Sequence, residues 1–146
     1  MKKPQYSITI HSQDEKVWKT MLDSETYKLW TKAFCEGSYY EGSWGKGEKI
    51  RFLTPEGEGM FSTIAENRPS DFISIKHLGI INNGVEDTQS PESKSWAPSF
   101  ENYTLEDRDG ETELKIDLDV PPEFEDFMNS AWPNALTGLK EICERG

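Results

Sequence analysis

The chain has 146 residues and a net charge of −11; 34% of its residues are hydrophobic and 12% are aromatic. That length supports one domain with a real core, and the aromatic content separates it from disordered chains. The acidic balance argues against nucleic acid and against anionic membrane surfaces, and no apolar run approaches the ~20 residues of a membrane span.

Met1-Lys2-Lys3-Pro4 leads into Tyr6, Ile8 and Ile10 alternating with Ser7 and Thr9. That is the period of a half-buried strand and not the apolar centre of a signal peptide. Ser12 precedes Glu15 by a capping-box spacing, and Val17, Trp18, Met21 and Leu22 follow at helical steps. Asp23 and Ser24 read as a second cap, opening a shorter helix with Tyr27 and Trp30 on one side and Phe34 at its end. From Gly37 onward glycines punctuate β-rich runs. Strands are expected over 43–53 (entered through Trp44 and firmest over 49–53), 59–67, 71–80, 96–106 and 112–120. In the last, Leu114, Ile116, Leu118 and Val120 alternate with Lys115, Asp117 and Asp119, one dry face and one wet. Asp109-Gly110 is a hairpin signal; Glu56-Gly57 and Arg68-Pro69-Ser70 mark further turns. Gly45 to Gly47 reads as a strand-entry turn, and the polar run 81–95 as a long loop.

The closing run, 121–143, places Phe124, Phe127, Met128, Ala131, Trp132, Ala135, Leu136, Leu139 and Ile142 on the stripe of an amphipathic helix. Pro121 and Pro122 suit its first turn. Pro133 removes the amide that would bond the Asn129 carbonyl, which predicts a bend or a restart there and an effect on where Trp132 points. The order predicts an α+β fold in one domain covering residues 1–146. A curved antiparallel sheet of about six strands wraps a long C-terminal helix, with two short helices after the first strand.

Several stretches, in their order and spacing, resemble the START-like, or helix-grip (SRPBCC), superfamily. They are Val17-Trp18 with Leu22-Asp23, Tyr27 and Trp30; Gly45 to Phe52; Ile64 with Pro69; Glu101-Asn102-Tyr103-Thr104-Leu105; and Trp132 with Ala135-Leu136 and Leu139-Lys140. The likeness runs from Tyr6 to Cys143, and the branch it resembles is the bacterial homologues of the heat-shock-protein ATPase activator. It implies a sheet gripping the last helix with a cavity between them. Members bind lipids, polyketides, hormones or other apolar ligands, and some are cyclases or hydrolases. Glu101 departs from the pattern, which carries an apolar residue there.

The chemistry-bearing inventory is thin. His11, His77, Cys35 and Cys143 have no metal-ligand spacing, and no phosphate loop or nucleophile elbow occurs, so no cofactor or metal is expected. The cysteines read as reduced thiols of a cytoplasmic protein, Cys35 as an inert buried one. His77 shares strand parity with Ile73 and Ile75, and Glu101 with Tyr103 and Leu105. If the two strands are partners, His77 and Glu101 meet across the ladder, either as a polar pair inside the cavity or solvated at the sheet's end. The candidate cavity lining is Trp30, Phe34, Trp44, Phe52, Met60, Ile75, His77, Glu101, Tyr103, Leu118, Met128, Trp132 and Leu136. Three functions stay open, in this order: a carrier or sensor of a small apolar or amphipathic molecule; a cyclase, hydratase or hydrolase using His77 and Glu101; and a protein-binding module with a chaperone partner, for which the sequence itself offers no support. A homodimer is compatible with all three.

Overall fold

The structure, a computed structural model, describes residues 1–145. Strand β1 (Gln5–Ile10) is followed by helices α1 (Asp14–Leu22) and α2 (Ser24–Thr31). Then come β2 (Tyr39–Gly42), β3 (Lys49–Leu53), β4 (Gly59–Arg68), β5 (Phe72–Asn82) and β6 (Val85–Asp87). A short helix α3 (Pro91–Trp96) leads to β7 (Ser99–Arg108) and β8 (Glu111–Leu118), and after a 3-10 turn at Pro122–Phe124 the chain ends in α4 (Glu125–Glu144). The eight strands form one antiparallel sheet in the order β1-β8-β7-β5-β4-β3-β2, with β6 paired to the far end of β5.

Alternation decides which face of the sheet is dry. Ile73 and Ile75 of β5, Tyr103 and Leu105 of β7, and Leu114, Ile116 and Leu118 of β8 are all buried. Register lines them up in rows: Tyr6, Ile116, Tyr103 and Ile73 form one, and Leu118, Glu101, Ile75 and Ile64 another. Against this face packs α4, through Ala131, Trp132, Ala135, Leu136, Leu139 and Cys143. It approaches β1, α1 and α2 most closely.

Turn chemistry closes the hairpins. Asp109 and Gly110 both have positive φ (56° and 89°), and so do Asn83 and Gly84 (52° and 76°), the backbone of a two-residue turn whose twist matches the strands. Gly59 meets a harder constraint, because a Cβ there would lie 1.8 Å from the Phe52 carbonyl oxygen across the β3–β4 ladder. Only glycine lets those strands approach.

Some expectations are corrected. The sheet has eight strands, not about six, since β2 and β6 are too short to show an alternation of their own. Residues 81–95 are not one loop: β5 runs on to Asn82, β6 pairs back to it, and Ser90 caps α3 by accepting from the Ser93 amide at 3.1 Å. Trp44 lies between strands rather than in one, and Trp96 ends α3 rather than opening β7. Ser12 does not cap α1, whose N-cap is Gln13 without a side-chain bond. The last helix does not restart at Pro133, which lies within an unbroken α4 on its exposed side, where water can serve the carbonyl left without a partner. Phe127, on the stripe by spacing, is 47% exposed.

Leu139 is fully buried where α4 meets the core. Leu139→Ala is expected to lower unfolding free energy by about 2–5 kcal/mol through lost burial and a residual cavity. Glu141→Ala, on the exposed side of the same helix, is expected to stay within about 0.5 kcal/mol. Urea denaturation of both variants measures the difference.

Candidate functional site

Between the dry face of the sheet, α2 and the first half of α4 lies a cavity of about 240 Å³. Helix α2 and the segment after it contribute Tyr27, Trp30 and Phe34; the β2–β3 connection and β3 contribute Trp44 and Phe52; and α4 contributes Met128 and Trp132. Met60, Ile75, His77, Glu101, Tyr103 and Leu118 reach it from the sheet. Leu136 does not line the cavity. One turn beyond Trp132, it is 3% exposed and packed into the hydrophobic core. Sharing a helical stripe with Trp132 placed it on the right face but at the wrong level. Cys35, expected to be buried, is half-buried on the cavity wall, whereas Cys143 is the buried thiol.

The aromatic side chains touch in succession. Trp132 lies 6.2 Å from Trp30 between ring centroids, Trp30 lies 5.6 Å from Tyr27, Tyr27 lies 6.3 Å from Phe52, and Phe52 lies 6.0 Å from His77. Phe34 meets Trp132 edge-on at 4.8 Å, and Tyr103 meets it at 5.9 Å. Tyr27–Trp30, Phe52–His77, Phe34–Trp132 and Tyr103–Trp132 meet edge-to-face, the arrangement that ring quadrupoles favour, and the other two pairs are tilted.

The polar groups form a chain. His77 Nε2 lies 3.1 Å from Glu101 Oε1, and His77 Nδ1 lies 2.7 Å from Ser62 Oγ. An ionised carboxylate can only accept, so Nε2 carries a proton directed at Glu101, while Nδ1 shares a hydrogen bond with the Ser62 hydroxyl, which can donate or accept. The Tyr103 hydroxyl donates to Glu101 Oε2. Both Glu101 oxygens are thus held, from the β5 and β7 strands on which the register places their donors. Serine, histidine and carboxylate in sequence invite comparison with a nucleophilic triad. Ser62, however, is 1% exposed and lies behind the cavity wall, so its hydroxyl orients the imidazole and does not face a substrate.

Burial pushes the Tyr103 phenol well above its ordinary value, and the neighbouring Glu101 charge pushes it further. Burial likewise raises Tyr27, with Glu101 and then Tyr40 adding to it. Both stay neutral phenols near neutral pH. The indole N–H of Trp30 donates to the Met21 carbonyl at 3.2 Å. Those of Trp44 and Trp132 are buried without a partner, and such donors usually find one. Asp119, also on the wall, accepts from Lys3 at 2.5 Å and from the Phe100 amide at 3.0 Å. Among the described residues, no lysine or arginine lines the cavity and no cluster of His, Cys, Asp and Glu is arranged for a metal.

Several contributors to the site went unrecognised in the sequence. Tyr27 was legible as a helix-face aromatic. Ser62 shares parity with Ile64 on β4, but a register shift between Phe61 and Ser62 hides which residue it faces. Trp96 and Phe100 line the cavity from α3 and β7, a region whose polar surroundings concealed the helix.

No protein-family model matches this chain, and no curated protein matches its sequence. Solved structures match its fold along almost its whole length. Protein MLL2253 of Mesorhizobium loti has a TM-score of 0.77 at 14% identity, over 99% of this chain and 98% of that one. The Aha1 dimer of Colwellia psychrerythraea has a TM-score of 0.71 at 23% identity, over 100% and 98%. DynU16, a protein of the dynemicin biosynthetic locus, has a TM-score of 0.73 at 14% identity over 99% of this chain and 48% of its own. At these identities the likeness shows the fold alone: an antiparallel sheet gripping a long C-terminal helix.

The two phenols give a pH prediction. Their folded-state pKa values lie above the unfolded value of 10.0, so their contribution is complete below that pH. It is lost as pH rises from there toward the folded values, because only the unfolded chain releases the protons. Melting temperature is expected to fall more steeply above pH 10 in the parent than in Tyr103→Phe, followed by circular dichroism.

Proposed function

We propose that this protein binds a small, mainly apolar molecule with one polar end in the cavity between sheet and α4. The observation that carries the reading is the cavity itself: about 240 Å³ walled by aromatic and aliphatic side chains, with a few convergent polar groups at fixed positions. That is the ordinary make-up of a small-molecule site, and the volume lies just under the ~300 Å³ at which drug-sized pockets begin.

Binding is expected to quench or shift the fluorescence of Trp44 and Trp132 and to raise the melting temperature. A ligand at about 100 times its dissociation constant adds ~2.7 kcal/mol. A panel of amphipathic compounds of about ten to fifteen heavy atoms, screened by thermal shift, tests this. Failure of every member to move either signal contradicts the reading.

The 3.1 Å contact of His77 and Glu101 on the cavity wall favours a second reading, acid–base catalysis of the cyclase, hydratase or hydrolase kind, with Tyr103 as a neutral proton donor. General acid–base groups contribute about 10²–10⁴-fold. On this reading Glu101→Gln turns over substrate slower by that factor; an unaltered rate contradicts it. A chaperone-binding role has no observation of its own to stand on.

A further inference from the structure

The cavity's contacts close on themselves. From Trp132 the circuit runs through Trp30, Tyr27 and Phe52 to His77 at the ring distances given above, across to Glu101 by hydrogen bond, to Tyr103 by another, and back to Trp132 at 5.9 Å. Every member lines the cavity. The circuit is therefore a ring of π-systems interrupted by one carboxylate.

The charge in that ring has no lysine or arginine beside it. Glu101 accepts from the Tyr103 phenol and from the His77 ring. The other carboxylate on the wall, Asp119, already has Lys3, and among the described residues no lysine or arginine lines the cavity. Burial is the main cause that raises the Tyr27 and Tyr103 phenols, and the Glu101 charge adds to it at both. An anionic head would face this charge without a counter-ion, and a neutral ligand would leave it as it is. A positive head gains twice, from the carboxylate and from the faces of the surrounding rings, whose quadrupoles attract cations within about 6 Å of the centroid.

We propose that the ligand is a cationic amine, primary to quaternary, on a compact apolar body, with its ammonium seated between the Glu101 carboxylate and the aromatic ring. This rests on the binding reading above and narrows its ligand class.

Phenyltrimethylammonium and tert-butylbenzene have the same shape and differ only in the charged nitrogen, so they separate charge from burial. Both are titrated against the whole chain by tryptophan fluorescence and thermal shift. The expected result is at least about tenfold tighter binding of the cation, with Glu101→Gln removing that preference and leaving tert-butylbenzene within about twofold. Phe52→Leu, which keeps the carboxylate but removes one aromatic face of the circuit, is expected to weaken the cation more than the hydrocarbon; it stands in should Glu101→Gln not fold. Equal or tighter binding of tert-butylbenzene, or a preference for the cation that survives Glu101→Gln, overturns the cationic class while the cavity reading stands. Binding of neither probe at millimolar concentration overturns both.

Discussion

The site depends on a carboxylate placed in an apolar row. Register puts Glu101 between Leu118 and Ile75, with Ile64 beyond, where the fold would accommodate a fourth hydrophobic side chain without any partner. A charge taken from water into such a position costs several kcal/mol unless it is hydrogen-bonded. Here the cost is offset by His77 and Tyr103, and His77 is in turn oriented by Ser62. Four residues on three adjacent strands, β4, β5 and β7, are thereby committed to one another. An apolar side chain at position 101 would free the other three, which makes Glu101 the residue around which the polar end of the cavity is built.

The rest of the architecture supplies the dry surroundings that give that charge its reach. Helices α1 and α2 sit over one end of the sheet, and Tyr40, on the edge strand β2, ties them to it by donating to the Leu22 carbonyl at 2.6 Å. At the other side Tyr6 of β1 donates to Asn129 Oδ1 of α4 at 2.6 Å and stacks near Trp132, its ring centroid 6.0 Å away. Trp132 is held from several sides, by Tyr6, Trp30, Phe34 and Tyr103. A residue so constrained is a wall rather than a gate. Pro133, next to it, therefore has little room to redirect it, and its place on the exposed side explains how α4 tolerates it.

Much of this was legible in the sequence because period is a strong signal. The alternation of β8 and the stripe of α4 set the two layers, and strand parity offered His77 and Glu101 as an inner-face pair, with a solvated place at the sheet's end as the alternative. Their contact followed once β5 and β7 became neighbours, although the ladder pairs Glu101 with Ile75 and His77 with Ser99, so they meet diagonally. What escaped the sequence has physical reasons. A three-residue strand such as β6 carries no periodicity, so only Asn83-Gly84 and Ser90-Pro91 betray the hairpin and helix within 81–95. The Ser62–His77 bond depends on a register shift that residue types do not encode. Leu136 shows the limit of stripe reasoning, which gives a direction around the helix but not the height at which the cavity ends.

The central claim is that a ligand-accepting space lies between Trp132 and Trp44 on the cavity wall, and the indole ¹H–¹⁵N spectrum tests it most directly. The chain has five tryptophans. With Trp18, which lies off the cavity, as internal reference, saturating phenyltrimethylammonium is predicted to shift the Trp44 and Trp132 indole signals well beyond that of Trp18. A spectrum in which all five signals move together, or none moves, would contradict it.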